Sequence, residues 1–292
     1  MLEIDFVYVI FNNYNYAVKS INDLIEKFGG NYLKLNVIIV DNSYSISSKR
    51  IISKFNKFCD NNSNKNVYIH YLPSDINLGF SKACNKGFNF CNSETVIFAN
   101  CDTRFYKTNA DSFLKSINLC KYLTPIVGVK ILNNKGIMAN SAFSFNPLFI
   151  LLKPLNHLAA MNKLFRFLID NNFLNLKLNN DYYEKLDNGS VNKVDWVSGC
   201  FMIVNREFLK EIEGFDERYF MYFDDVDLCR TAKQHNKIVL FDSQTSIIHF
   251  GQHESRKYKS ILKTFISNKT ARYHIFSWIK YLIKWRKDFL NQ

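Results

Sequence analysis

Five apolar runs separated by four segments of helical spacing fill the first 132 residues, and this alternation constrains the fold more than any other feature. The runs cover residues 4–11, 37–40, 67–72, 95–99 and 126–132; the segments between them cover 18–28, 46–58, 80–90 and 110–120. Strands alternating with helices indicate βαβ units and a mostly parallel sheet flanked by helices. Sheets of that kind take ligands beyond the carboxyl ends of their strands. Asp41 and Asp102 both stand at such ends.

Residues 143–190 break the rhythm. An apolar stretch over 145–169, punctuated by Lys153, Lys163 and Arg166, precedes an Asn/Asp-rich run. It reads as an insertion carrying an amphipathic helix, either a lid or membrane-facing element or a helix packed on the core. Regular structure resumes over 200–204, followed by an acidic helix and strands over 238–241 and 246–249. Residues 1–257 are therefore expected to form one α/β domain with 143–190 inserted, and 258–292 a helical tail.

The chain has 292 residues, 47% of them apolar and 16% aromatic, enough for a sizeable core, so global disorder is excluded. Its seven cysteines include no CxxC pair, which argues against a disulfide framework or a zinc knuckle and for a reducing cytoplasm. The N-terminal residues carry an early acid and no basic region, unlike a signal peptide. No apolar run approaches the roughly 18–20 residues that span a bilayer.

The formal charge is +12, and residues 253–292 hold +8 of it, with ten Lys/Arg against two acids. Basicity concentrated in a tail points to a polyanionic partner. Within that tail Phe276, Trp278, Tyr281 and Trp285 alternate with Lys280, Lys284, Arg286 and Lys287, a mixture suited to an anionic membrane interface. A docked C-terminal helix with a solvated basic face would read the same way.

Three constellations at strand ends and one acidic segment carry the chemistry. Asp41-Asn42-Ser43 could accept hydrogen bonds from a nucleobase or ribose, or form an Asx turn. Asn77-Leu78-Gly79-Phe80 opens a helix, where Gly79 allows close backbone approach and the helix N-terminus favours phosphate. Asn100-Cys101-Asp102, joined by His249 from another strand, could hold Mg²⁺ or Mn²⁺ against a diphosphate. In the acidic segment the run Tyr219, Phe220, Tyr222 and Phe223 precedes Asp224, Asp225 and Asp227. Asp224 is expected to cap a helix and Asp225 to be presented at a cleft as a general base. A capped surface helix would show the same residues.

Taken in order, VDNS at 40–43, NLGFSKACNKG at 77–87, FANCDT at 98–103, DWVSGCFMIVNRE at 195–207, GFDERYFMYFDDVDLCR at 214–230 and IIHFGQHESRK at 247–257 resemble family-two glycosyltransferases. The similarity is to the rhamnosyltransferase-like branch that builds bacterial surface polysaccharides such as O-antigen and capsule, and it covers most of residues 4–257 outside the insertion. The resemblance implies a GT-A fold and inverting transfer from a nucleotide-diphospho-sugar, with dTDP-rhamnose the expected donor. UDP-galactofuranose, UDP-hexoses and UDP-N-acetylhexosamines remain alternatives. It implies Asp225 as catalytic base with Asp224 beside it, and nucleotide-sugar contacts at Asn12, Asp41, Asn42, Asn77, Gly79, Asn100 and Asp102. Asp102 and His249 would be the ligands of Mn²⁺ or Mg²⁺, and Trp196, Ser198 and Gly199 would shape the sugar and acceptor pocket. The implied acceptor is a glycan on a polyprenyl diphosphate, with the enzyme peripheral on the cytoplasmic face of the cell membrane.

The sequence departs from the family pattern at Asn100, where an acid often stands, at Asp224, which replaces a more usual Glu, and at Cys101, which replaces a frequent Pro. A rival reading, a nucleic-acid-binding protein using the basic tail, leaves the acidic segment and the strand-end motifs without purpose. No nucleic-acid partner is therefore expected. A catalytically silent sugar-nucleotide binder is disfavoured because Asp102, Asp225 and His249 are all present.

Overall fold

β1 (Leu2–Ile10) is buried without a break from Ile4 to Tyr8, the pattern of a strand covered on both faces. A computed structural model describes residues 2–29, 33–43, 49–64, 66–139, 141–145, 150, 185–251 and 269–290 of the chain. Most of the expected insertion and the segment before the last helices therefore lie outside the described residues, with Lys153, Lys163 and Arg166 among them.

The chain continues through α1 (Tyr14–Phe28), β2 (Leu33–Asp41), α2 (Lys49–Asn62), β3 (Val67–Pro73), α3 (Phe80–Phe88) and β4 (Thr95–Asn100). Next come β5 (Thr103–Phe105), α4 (Ala110–Tyr122), β6 (Ile126–Leu132), β7 (Met138–Ala139) and β8 (Ala142–Phe143). After the insertion follow β9 (Val191–Val194), β10 (Trp196–Val197), β11 (Phe201–Asn205), α5 (Arg206–Glu211) and α6 (Asp224–Gln234). β12 (Val239–His249), α7 (Lys269–Lys284) and α8 (Arg286–Leu290) complete the elements.

The main sheet runs β3-β2-β1-β4-β11-β6-β12-β5. β1 pairs parallel with β2 and β4, and β12 parallel with β6. β11 is antiparallel to both its neighbours, so the sheet is mostly parallel, reversed at β11 in its centre and at the short strands β5, β7 and β9. The first four strands thus point their carboxyl ends at one rim, as the alternating sequence requires.

Alternate side chains of each strand feed two apolar layers. One layer joins Ile4, Phe6 and Tyr8 of β1 to α1, α2 and α4 through Ile21, Phe55 and Phe113. The other joins Val7 to α3, α6 and α7 through Ala83, Val226 and Tyr281. Asp5, buried among the apolar side chains of β1, accepts from the Asn92 and Ser93 amides at 2.6 and 2.8 Å, which satisfies its charge.

Two features bear on the sequence reading. Residues 239–249 form one strand, not two, with an irregular register between Asp242 and Ser246. Ser116 on α4 explains the continuity: its Oγ lies 2.7 Å from both Asp242 Oδ2 and Thr245 Oγ1, holding the irregular turns against the sheet. The second concerns the tail. α7 buries His274, Ser277 and Tyr281 against the other elements, and Trp285 follows them inward. Its opposite face leaves Phe276, Ile279 and Ile283 exposed at 50, 41 and 57%. One helix therefore carries both the docked face and a partly apolar outer one.

Candidate active site

The parallel strands set the site's width. Ile10 at the end of β1 pairs with Asp41, and Val9 pairs with Asn100. Neighbouring strands lie about 4.8 Å apart, so two spacings put the Asp41 and Asn100 backbones about 10 Å from each other. Asp41 is buried, and its Oδ2 accepts from the Tyr14 hydroxyl at 2.5 Å and from the Tyr71 hydroxyl. Its Oδ1 accepts from the Ser43 amide at 2.8 Å, the Asx turn anticipated as the plainer reading. Burial, and then the Asp41 carboxylate, push the Tyr71 phenol far up, so it stays a donor. Neither tyrosine was singled out in the sequence, because no local spacing ties residue 14 or 71 to residue 41.

The loop before α3 closes on this corner. Asn42 Nδ2 donates to the Gly79 carbonyl at 2.9 Å, and Asn77 Oδ1 accepts from the Gly79 amide at 2.9 Å. Asn12, also left-handed (φ 57°), donates its amide to Ser43 Oγ at 2.8 Å. Gly79 has φ 79°, and a Cβ there would stand 2.5 Å from the Phe220 carbonyl oxygen. That carbonyl accepts from the Phe80 amide at 2.6 Å. The close approach expected of Gly79 is thus made by the aromatic segment of the chain itself.

Asn100, Asp102 and His249 meet where β4 leaves the sheet. His249 Nε2 lies 3.2 Å from Asp102 Oδ1 and 3.4 Å from Asn100 Nδ2. The Phe250 amide donates to the Asp102 carbonyl at 2.9 Å, fixing the two backbones together. Both side chains are partly exposed, whereas Cys101 between Asn100 and Asp102 is buried. A carboxylate oxygen and an imidazole nitrogen side by side and open to solvent fit a hard divalent cation. Among the described residues no group of three His, Cys, Asp or Glu is placed to hold a metal, so such an ion would take its remaining ligands from phosphate or water.

α6 starts unlike its sequence expectation. Its cap is Phe223, at φ 64°, and Tyr222 before it has φ 69°. Two consecutive bulky residues in the left-handed region cost about 1–2 kcal/mol each. Asp224 is not the cap but the buried first helical residue; burial, and then the Asp224 charge, raise the Cys84 thiol. The capping role falls away because the turn into the helix is made by the Tyr222–Phe223 backbone.

Asp225 is half-buried. Its Oδ2 accepts from the Gly199 amide at 2.9 Å and its Oδ1 from the Val226 amide at 2.9 Å. A Cβ on Gly199 would come within 3.1 Å of Asp225 Cβ, so the glycine lets the carboxylate settle on the backbone. The next residue, Cys200, offers its carbonyl to the Asn100 amide at 2.8 Å. Burial pushes the Cys200 thiol up, and the charges of Asp102 and Asp225 both add to that. The Gly199-Cys200 pair therefore bridges Asp225 to the Asn100, Asp102 and His249 corner. Its backbone role left no side-chain signal in the sequence beyond the glycine.

Ser198 receives the Cys200 amide on its Oγ at 3.5 Å. Trp196 is 1% exposed and stacks on Phe143 with ring centroids 3.7 Å apart. It can shape a pocket only from beneath, since its ring has no open face.

Asp227, two residues after Asp225, turns the other way. It is buried, and accepts from Tyr219 Oη at 3.0 Å, Trp285 Nε1 at 2.7 Å and Lys284 Nζ at 2.7 Å. Burial raises its carboxyl above the ordinary range despite the lowering effect of Lys284.

Comparison with known proteins matches residues 5–212 to the model of glycosyl transferase family 2. The chain is similar to rhamnosyltransferase WbbL of Escherichia coli K12, 32% identical over 93 residues, which are 32% of each protein. It is 34% identical over 62 residues to the N-acetylglucosaminyl-diphospho-decaprenol L-rhamnosyltransferase of Mycobacterium tuberculosis, 21% of this chain and 20% of that protein. A longer match, 24% identical over 237 residues, is to the low-salt glycan biosynthesis hexosyltransferase Agl10 of Haloferax volcanii, covering 80% of this chain and 63% of the relative. The matched segments span about a third of WbbL and under two thirds of Agl10.

Among solved structures, GalNAc-T7 with UDP, GalNAc and Mn²⁺ superposes with a TM-score of 0.60 at 12% identity, over 86% of this chain and 44% of that one. The mannosyltransferase PcManGT of Pyrobaculum calidifontis with GDP-Man and Mn²⁺ gives 0.56 at 12% identity, over 92% and 64%. These likenesses establish the GT-A fold.

Proposed function

The chain belongs to glycosyl transferase family 2, and from that premise we propose that it is a nucleotide-sugar glycosyltransferase making an inverting transfer of L-rhamnose from dTDP-rhamnose to a hydroxyl of a polyprenyl-diphosphate-linked glycan. The product would belong to a bacterial surface polysaccharide of the O-antigen or capsule type. The observation that carries the reading is the Gly199-Cys200 bridge, which sets Asp225 beside the corner formed by Asn100, Asp102 and His249.

In this mechanism Asp41, Asn42, Asn77 and Asn12 line the nucleotide end of the rim, and Asn100 and Asp102 the diphosphate end. Each Asp225 oxygen keeps one lone pair beyond its backbone amide. One of them takes the proton of the acceptor hydroxyl as its oxygen attacks the anomeric carbon. The bond from that carbon to the diphosphate breaks on the opposite face, which inverts the configuration. Asp102 and His249 would hold Mn²⁺ or Mg²⁺, which when bound supplies positive charge against the leaving diphosphate. Asp224 backs the base from the buried side, and Ser198 and Gly199 border the sugar.

The rhamnosyl donor is supported by the rhamnosyltransferase names of the Escherichia coli and Mycobacterium tuberculosis relatives. A hexosyl donor is favoured by the longer, weaker match to Agl10. Thermal unfolding in Mn²⁺ with a panel of sugar nucleotides separates them. dTDP-rhamnose is expected to raise Tm most, by several degrees at about 100 times Kd. A larger shift with UDP-galactofuranose, a UDP-hexose or a UDP-N-acetylhexosamine would replace the donor, and no shift with any would remove the reading.

Membrane association is proposed on the outer face of α7. Phe276, Ile279 and Ile283 recur at helical spacing there, beside the exposed cations Lys280, Arg286 and Lys287. The proposed contact is peripheral, on the cytoplasmic face; among the described residues no helix is long and apolar enough to cross a membrane. Replacing Phe276 and Ile283 by Ser is expected to abolish retention on anionic liposomes. Unchanged retention, or preferential retention on single-stranded DNA, would refute this placement.

A further inference from the structure

The strained turn that delivers Asp225 is held from outside the sheet. Helical residues two apart project about 200° from each other, so Asp225 and Asp227 face opposite sides of the first turn of α6. Asp225 rests on Gly199, while Asp227 is gripped by Lys284 and Trp285 from the end of α7 and beyond. α7 reaches the same segment at every turn of its inner face. Tyr273 stacks on Phe220 with centroids 4.3 Å apart, and His274 meets the rings of Tyr222 and Phe223 at 4.8 and 5.5 Å. Ser277 Oγ donates to the Met221 carbonyl at 2.8 Å and Lys280 Nζ to the Arg218 carbonyl at 2.7 Å. Lys284 also reaches Asp216 Oδ2 at 2.8 Å.

These contacts span residues 216–227 and include the carbonyl immediately before the two left-handed residues. Left-handed tyrosine and phenylalanine persist only where their surroundings over-determine them. From the sheet side the Phe80 amide donates to the Phe220 carbonyl of this turn. α7 adds side chain–to-backbone bonds at both ends of residues 218–221, from Lys280 to the Arg218 carbonyl and from Ser277 to the Met221 carbonyl, beside the local bond from the Arg218 amide to Asp216 Oδ1.

We propose that α7 is a positioning element for the transfer: through Ser277, Lys284 and Trp285 it fixes the Phe220–Asp224 turn and thereby the place of the Asp225 carboxylate. The inference rests on Asp225 being the base, and it gives the basic C-terminal region a task independent of any membrane. None of these side chains is among those assigned above to the donor or the acceptor. Their effect is on where the base lies, so it belongs in kcat and not in nucleotide affinity.

The test compares Ser277→Ala, Trp285→Phe and Lys284→Met with Lys284→Arg in the full chain. Amide hydrogen exchange over 220–226 is measured, together with transfer from dTDP-rhamnose to an N-acetylglucosaminyl-diphospho-polyprenol and calorimetric binding of dTDP in Mn²⁺. Misplacement of a catalytic group by about 1 Å can cost on the order of 100-fold. Lys284→Met and Trp285→Phe are therefore expected to lower kcat by about 10- to 100-fold and to speed exchange at 220–226, with the dTDP affinity unchanged. Lys284→Arg recovers most of the rate, and Ser277→Ala, the mildest change, shows the same pattern in smaller measure. Unchanged exchange in all of them, faster exchange with unaltered kcat, or parallel loss of kcat and dTDP binding would each overturn the proposal. The exchange data need no turnover, so they judge the clamp even if Asp225→Asn stays active and the base assignment fails by itself.

Discussion

Replacing Asp225 by Asn is expected to lower transfer by about 10²- to 10⁴-fold, the usual contribution of a positioned general base, while nucleotide binding stays unchanged. The substitution keeps the shape of the side chain and removes its ability to take a proton. Its remaining oxygen can still accept from the Gly199 amide, now 2.9 Å from Asp225 Oδ2. The Val226 amide then faces the new NH₂ group, but it belongs to the first helical turn, whose amides have no intrahelical partner and can turn to water. Little structural cost accompanies the chemical one. Measured transfer and calorimetric titration with dTDP in Mn²⁺ on the same preparation separate the two. Full turnover by the variant would end the assignment of Asp225 as base, and a joint loss of nucleotide binding would make its role structural.

Much of this architecture is readable from residue patterns because its cause is local. Buried parallel strands need unbroken apolar runs, and those of β1, β2, β4 and β6 stand out in the sequence for that reason. Asp41, Asn100, Asp102 and His249 were marked because they stand at the ends of such runs, where the register brings strand ends to one rim. Contacts decided by long-range packing left no comparable trace. The two tyrosines on Asp41, the Gly199-Cys200 bridge and the division of labour between Asp225 and Asp227 each join positions more than twenty residues apart or depend on helix phase. The cap of α6 misled for a related reason. Asp is a good cap by propensity, but tertiary contacts hold Tyr222 and Phe223 left-handed and shift the helix start by one residue. One signal was available in the tail: Tyr273, Ser277, Tyr281 and Trp285 recur every four residues, and three of these four side chains are buried.

Replacing Asp102 by Ala should remove the dependence of nucleotide binding on Mn²⁺ and weaken dTDP binding in its presence by about 100-fold. The figure follows from the scarcity of ligands. Asp102 and His249 are the proposed metal donors at this corner, and among the described residues no third His, Cys, Asp or Glu completes a set. Asn100, where an acid often stands in similar proteins, contributes an amide and no charge. Among the described residues Asp102 would then be the one anionic ligand for a divalent cation at this corner. Loss of even an outer-shell partner commonly costs 10- to 100-fold in metal affinity, so loss of this ligand should cost no less than the upper end. His249→Ala keeps the charge and should weaken binding less, whereas Asn100→Asp adds a second carboxylate and should tighten it. Calorimetry with dTDP, with and without Mn²⁺, orders the three variants. Equal Mn²⁺ dependence in Asp102→Ala and the unaltered chain would show that the cation binds elsewhere. Unaltered dTDP affinity in Asp102→Ala without any Mn²⁺ effect in either protein would show that phosphate is held by backbone amides alone, and the Asp102 and His249 pair would then lose its role as a metal site.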